Sequence, residues 1–282
     1  MSAQPPVPEA PTTGVAVTAL GVAIIRARET DRPDRLYSDP LAQHFVDAAH
    51  VGFDKERWSR LTELAGRFYG GRTIGVRLVD DRLRAAAANG IRQFVLVGAG
   101  LDTRAYRLGL PADASVFEID VPELFAFKEP VLRRAGAAAT CSRAVVTADL
   151  RSDWVIPLRD SGFHSEVPTM WIDEGTLGSL NQEWSRRVVR RLSAVSAPGS
   201  LYGTGQFATD ATDSRYRDLR GLVGDTPGGD DASSTAEPNI RGWLENLGWD
   251  TAFHSWNSMV ADLDRPATVD DESVGTISAV RR

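Results

Sequence analysis

With one cysteine among 282 residues, Cys141, the chain can form no intrachain disulfide and no cysteine-built metal centre. No apolar run reaches the length needed to span a bilayer. No block of basic residues is present either, and the net charge is −6 with a pI near 5.3. That balance argues against nucleic acid or an anionic membrane as a partner. The pairs Arg133-Arg134, Arg186-Arg187 and Arg190-Arg191 fall in helical stretches and read as solvated faces. Residues 1–13 lack the basic start and apolar centre of a leader; rich in proline and small residues, they read as a disordered tail on a cytoplasmic protein. What remains, 42% hydrophobic and 25% charged, suits one large globular domain or a domain with an elaborated lid.

The most informative stretch runs from Gln93 to Asp120. Gln93-Phe94-Val95-Leu96-Val97 is a short β-branched and aromatic run, the pattern of a buried parallel strand. Gly98-Ala99-Gly100 then reads as a tight turn where backbone approaches a ligand. A helical segment follows, and Val116-Phe117-Glu118-Ile119-Asp120 closes on two carboxylates. Asp120 lies 22 positions after Gly98, about the spacing at which an acid meets a nucleoside ribose. A dinucleotide site prefers a third glycine, but here that position is Thr103, preceded by Asp102. A carboxylate at a helix start repels phosphate and attracts an ammonium or sulfonium. These residues favour S-adenosylmethionine over NAD.

Upstream, 16–28 reads as a largely buried helix carrying Arg26 and Arg28, Asp39-Pro40 as a cap and first helical position, and 56–88 as a long helix stopped by Asn89-Gly90. Residues 14–90 thus form a helical preface suited to a lid over the domain at 91–282. Downstream, a helix at 122–138 precedes strands at 144–147, 169–172 and 200–204, with a further helix at 182–194. Residues 205–240 have the composition of a loop insertion over the site. A short helix at 240–247, a strand at 249–254 and an alternating edge strand at 274–280 complete the chain. Strand alternating with helix implies an open α/β sheet, mostly parallel, with ligands beyond the carboxyl ends of its strands. Gly98, Asp120, Asp149 and Glu174 all fall just beyond strand ends.

At these residues the chain resembles the leucine carboxyl methyltransferase family, including its bacterial branch and polyketide carboxyl O-methyltransferases. The resemblance rests on residues 95–108, Val-Leu-Val-Gly-Ala-Gly-Leu-Asp-Thr-Arg-Ala-Tyr-Arg-Leu, and on 117–123, Phe-Glu-Ile-Asp-Val-Pro-Glu. Residues around Arg26, 38–42, Arg77 and Asp80-Asp81 add to it. It implies a Rossmann-like class I methyltransferase fold with a seven-stranded sheet, helices on both faces and S-adenosylmethionine as cofactor. Carried over residue by residue, Arg77 with Arg26 would pair with the methionine carboxylate. Gly98 and Gly100 would make room for the amino-acid arm. Asp120 would accept the ribose hydroxyls, Asp149 and the Leu150 backbone would hold the adenine, and Glu174 would sit by the methionine amino group. From its own sequence context, Arg77 reads equally as a helix arginine paired with Asp80 or Asp81. Arg104 could orient an acidic acceptor, or pair with Glu118 or a neighbouring helix.

One segment departs from the family. After Glu174-Gly175, where large apolar residues and a tyrosine are the rule, this chain has Thr176-Leu177-Gly178-Ser179-Leu180. Either the acceptor pocket is roomier, or the cofactor pocket is kept while methyl transfer is lost in favour of a cyclisation or rearrangement. An ionised carboxylate acceptor needs no base, whereas a hydroxyl does. His44, His50, His164 and His254 stand in no motif, so no catalytic residue is assigned. The resulting expectation is an O-methyltransferase for a small-molecule carboxylate or hydroxyl, polyketide-like in kind. A nucleotide-binding oxidoreductase is disfavoured by Thr103, and the oligomeric state stays open.

Overall fold

The computed structural model describes residues 9–12, 14, 16–206, 218 and 239–282. Three helices come first: α1 (Ala16–Thr30), α2 (Pro40–His50) and α3 (Lys55–Ala88). The α/β part follows as β1 (Gln93–Val97), α4 (Arg104–Arg107), β2 (Ser115–Asp120), α5 (Pro122–Arg134), β3 (Ser142–Thr147), α6 (Val155–Asp160) and β4 (Thr169–Asp173). A 3₁₀ turn (Leu177–Ser179), α7 (Gln182–Ala194), β5 (Leu201–Gln206), α8 (Ile240–Asn246), β6 (Trp249–Ser255), α9 (Trp256–Val260) and β7 (Gly275–Arg281) complete it. The seven strands form one sheet in the order β3-β2-β1-β4-β5-β7-β6. Strands β1 to β5 are parallel, and β7 runs antiparallel between β5 and β6.

The parallel register collects the strand ends. Val97 lies opposite Ile119 and Asp173, Asp120 opposite Thr147, and Asp173 opposite Thr204. Chain order reverses between β1 and β4, the switch point where open sheets bind ligands. Both β1 and β4 are buried throughout, as a central strand covered on both faces requires. On one face Trp154, Phe163 and Trp171 pack edge-on or tilted around Phe117, with Val188, Val189 and Leu192 of α7. On the other, Leu83, Ala86 and Ala87 of α3 cover Phe94, Leu96, Met170 and Ile172.

Two sequence expectations change. Strand β7 is not at the edge: it pairs on both sides, and the outer strands are β3 and β6. Its alternating pattern arises because an interior strand near the end of a sheet still has one thinly covered face. Asp39 precedes α2 without capping it; its carboxylate is drawn to Thr103 and Arg26 instead, while Pro40 does occupy the first turn. Of the proline-rich start, Ala10 is buried against the cluster that holds Val17, Leu20 and Phe45, and Arg57 donates to the Thr12 carbonyl. Most of the expected insertion at 205–240 lies outside the described residues. Among the described residues no helix is long and apolar enough to cross a membrane.

Candidate functional site

The glycine turn after β1 is held from below and from the side. Gly98 and Gly100 both have left-handed backbone, with φ of +70° and +53°. A side chain on Gly98 would collide with Thr176, whose Oγ1 lies 2.1 Å from the place a Cβ would take. Gly98 is therefore glycine for two reasons, backbone conformation and close approach by the turn after β4. The Asp120 carboxylate accepts from the Gly100 amide at 2.7 Å and from the Val121 amide at 2.7 Å. Burial raises its pKa, and those two amide bonds pull the other way. Asp120 thus faces the glycine turn from the end of the neighbouring strand.

Beside this turn lies a buried ionic network that the sequence only hinted at. Arg104, the first residue of α4, is almost wholly buried and donates to Asp80 of α3 at 2.7 Å, to Asp102 at 2.6 Å, and to Glu174. Arg107 binds the same Asp80 through both guanidinium arms, at 2.6 and 2.9 Å. Arg26 pairs with Asp39 at 2.9 Å and donates to the Leu101 carbonyl at 2.6 Å, while Thr103 donates to Asp39 at 2.7 Å. Burial alone would lower the Arg104 pKa, but Glu174, Asp102 and Asp80 together raise it well above the ordinary value. Asp80 and Asp102 are pushed up by burial and brought below the usual carboxylate value by the surrounding guanidiniums. Four carboxylates share three guanidiniums in this network. Glu174 is its most exposed member, with 26% of its side chain accessible. The most accessible carboxylate of the network therefore sits beside the glycine turn, with Arg72 and Arg82 of α3 near it as well.

The turn after β4 is shaped by Asp173, which accepts from the amides of Gly175, Thr176 and Leu177 at 2.8 to 3.3 Å and from Thr204 at 2.9 Å. Burial raises its pKa against those bonds. Arg72 of α3 donates to the Glu174 carbonyl at 2.9 Å, so Glu174 is held through backbone and side chain alike. Asp149, just past β3, is half-exposed and bound by Arg151, which lowers its pKa. The Leu150 side chain next to it is buried in the core, which leaves its backbone for any ligand contact.

The expected site residues thus divide. Gly98, Gly100, Asp120 and Glu174 meet at the ends of β1, β2 and β4, with Asp149 and Leu150 one strand further out. Arg26 lies behind the glycine turn and anchors it. Arg77 binds Asp81 at 2.7 Å and the Leu36 carbonyl at 3.1 Å, the helix pairing that its sequence context suggested. Arg104 pairs with the neighbouring helix through Asp80 and not with Glu118; the latter is fully buried between Lys128 and Arg143. All four histidines are exposed: His50 stacks on Trp58, His164 meets Glu166 and His254 meets Ser278. Asp173 and Arg72 were missed; an acid directly before Glu174 and an arginine on α3 were the only signals.

Residues 19–193 match the model of the leucine carboxyl methyltransferase family. The chain belongs to that family. A Streptomyces coelicolor relative named "Putative S-adenosyl-L-methionine-dependent methyltransferase" is 36% identical over 96% of both chains. A Frankia alni relative with the same designation is 37% identical over 95% of this chain and 96% of its own. Among solved structures, a "putative methyltransferase" from Thermobifida fusca covers 100% of this chain and 99% of its own at 17% identity, with a TM-score of 0.54. A protein of Streptomyces avermitilis covers 92% and 97% at 18% identity and a TM-score of 0.52. Those two likenesses bear on the fold, which is that of the class I methyltransferases. The family is one of S-adenosylmethionine-dependent methyltransferases, and this chain is an enzyme of that kind.

Proposed function

We propose that the protein transfers a methyl group from S-adenosylmethionine to an oxygen of a small-molecule acceptor, a carboxylate or a hydroxyl, of the polyketide-like kind. One observation carries this reading: Glu174, the most accessible carboxylate of the network, lies past the end of β4 beside the glycine turn, and Asp120 lies at the end of β2 on the turn's other side. A cation with a ribose fits such a donor set, whereas a pyrophosphate would meet Asp102, Asp120 and Glu174 without a free amide row. In this reading Asp120 takes the ribose hydroxyls, Asp149 and the Leu150 backbone the adenine, and Gly98 and Gly100 leave space for the amino-acid arm. Glu174 takes the ammonium end. Arg26 contributes by fixing the Leu101 carbonyl and Asp39, and so the shape of the turn. Helices α1 to α3, residues 14–90, serve as the lid, with 205–240 as a second covering segment.

When bound, the cofactor supplies an electrophilic methyl on a positively charged sulfur. The chain's own task is to hold the acceptor oxygen in line with it and to keep water out. None of the four histidines lies at the carboxyl ends of β1, β2 or β4, which suits an acceptor that is already ionised. Calorimetric titration with S-adenosylmethionine and, separately, with NAD tests the reading. Binding of the first and not the second is expected, followed by label transfer to an acid when a methyl-labelled cofactor is supplied. Binding of NAD alone would end the proposal. Tight cofactor binding with no acceptor labelled across a panel of acids and phenols would replace methyl transfer by a non-methylating cyclisation or rearrangement.

A further inference from the structure

Arg82 is a cation of the site that has no hydrogen-bonding partner among the described residues. It lies on α3, half-buried, with one guanidinium nitrogen 3.0 Å from where Gly203 of β5 would carry a Cβ. Among the described residues no side chain or carbonyl hydrogen-bonds to it. Burial lowers its pKa, opposed by the field of Glu174 and reinforced by that of Arg104. The nearest carboxylate that could neutralise it, Glu174, is committed to Arg104, and the Glu174 carbonyl accepts from Arg72. An arginine stays charged in a protein, so a half-buried guanidinium without a partner is costly unless something else occupies its fork. The strand beneath it is pared to glycine at the point of approach.

The way to Arg82 is also stripped. Gly71, Gly75, Leu78 and Arg82 follow one another at spacings of four, three and four, one face of α3. A side chain added at Gly71, at Gly75, or at Gly178 in the turn after β4 would meet no atom of the described residues within 4 Å. Small residues where bulk stands in the family, noted at Thr176 to Ser179, therefore have a counterpart on the facing helix. The bare face ends in Leu78, which packs toward Trp256 and Val260, and then in the guanidinium.

We propose that Arg82 is the recognition residue for a carboxylate on an acceptor with an apolar body, which lies along the bare face of α3. The proposal rests on the methyltransferase reading and names the substrate class for it. A carboxylate matches the planar fork of a guanidinium with two parallel hydrogen bonds, and its single charge suits a place where Glu174 already stands near. A dianionic phosphate would be repelled more strongly by that neighbour.

The test uses the full chain saturated with S-adenosylhomocysteine, and decanoate with methyl decanoate as probes. Wild type should bind decanoate at least tenfold more tightly than the ester. Arg82→Met should lose that preference, Arg82→Lys should keep part of it, and all three should bind S-adenosylhomocysteine within twofold of one another. Without ligand, Arg82→Met should melt above wild type, because a charge with no partner has been removed. Decanoate failing to bind wild type, binding Arg82→Met equally well, or Arg82→Met melting below wild type would each overturn the proposal. Loss of S-adenosylhomocysteine binding by wild type would instead strike the cofactor reading.

Discussion

The Arg104 guanidinium donates to the Glu174 carboxylate across 70 positions of sequence, which ties the helix after β1 to the turn after β4. Both residues border the glycine turn, so the charge that faces a ligand is set by how these two partition it. Arg104 has two other carboxylates, Asp80 and Asp102, to hold it in place. Glu174 is therefore the member that can answer to a ligand without the network collapsing.

Replacing Glu174 by Gln should weaken S-adenosylmethionine binding about tenfold or more, the worth of one charge-assisted contact of roughly 1.5–3 kcal/mol. The melting temperature should move little, since Arg104 keeps Asp80 and Asp102. Calorimetric titration beside a melting curve checks both statements. An unchanged dissociation constant would remove Glu174 from the cofactor site.

Asp120 offers a test by pH. Burial raises its pKa above the ordinary 3.8, so it takes up a proton earlier on acidification than a surface aspartate does. A protonated Asp120 cannot accept from two ribose hydroxyls and two amides at once. Affinity for S-adenosylhomocysteine should fall as pH drops through that raised value. Asp120→Asn should bind about tenfold or more weakly near neutral pH, with this break missing from its profile. The same break in the variant would assign it to another group.

How much of this could be read beforehand depends on how local each signal was. Gly98 and Asp120 were legible because strand, turn and strand follow one another within thirty residues and the strands read as short continuous apolar runs. Asp39 was misread, since its real partners, Arg26 and Thr103, lie on another helix and in the glycine turn, and only folding brings them near. The position of β7 was misread for a similar reason: pairing on its second side depends on where β6 lands. Arg104 showed as a motif residue, but its three carboxylates come from α3, from its own turn and from the end of β4. Charge networks assembled from several elements leave almost no periodic trace.

The Glu118–Lys128 pair concerns stability alone. Both side chains are fully buried, joined at 2.6 Å, and the Arg143 guanidinium also binds Glu118. Removing Lys128 leaves the buried Glu118 with Arg143 alone to balance it, and removing Glu118 strands the buried Lys128. Lys128→Met should cost about 3–5 kcal/mol in denaturant unfolding. Adding Glu118→Leu to it should return part of that loss, because the buried carboxylate that lost its ammonium partner is then gone from beside the methionine. A single variant as stable as wild type would mean the pair is dispensable.

Glu29 links α1 to the far end of the chain. It is fully buried on α1 and accepts from Arg265 at 2.5 Å, from Tyr69 and from the Leu36 amide. Burial pushes its pKa up, but the bonds from Arg265, Tyr69 and Leu36 outweigh that and hold it below the ordinary 4.5. A lowered carboxylate pKa contributes stability above the unfolded value, and this is lost as pH falls through the folded one. Arg265→Ala should therefore destabilise by about 1–3 kcal/mol near neutral pH. The gap between variant and wild type should close progressively once pH drops below about 4.5, where Glu29 takes up its proton in both. Melting curves from pH 7 down to pH 3 measure that gap. A gap that stayed constant, or widened toward acid, would show that Arg265 acts through packing and not through the charge on Glu29.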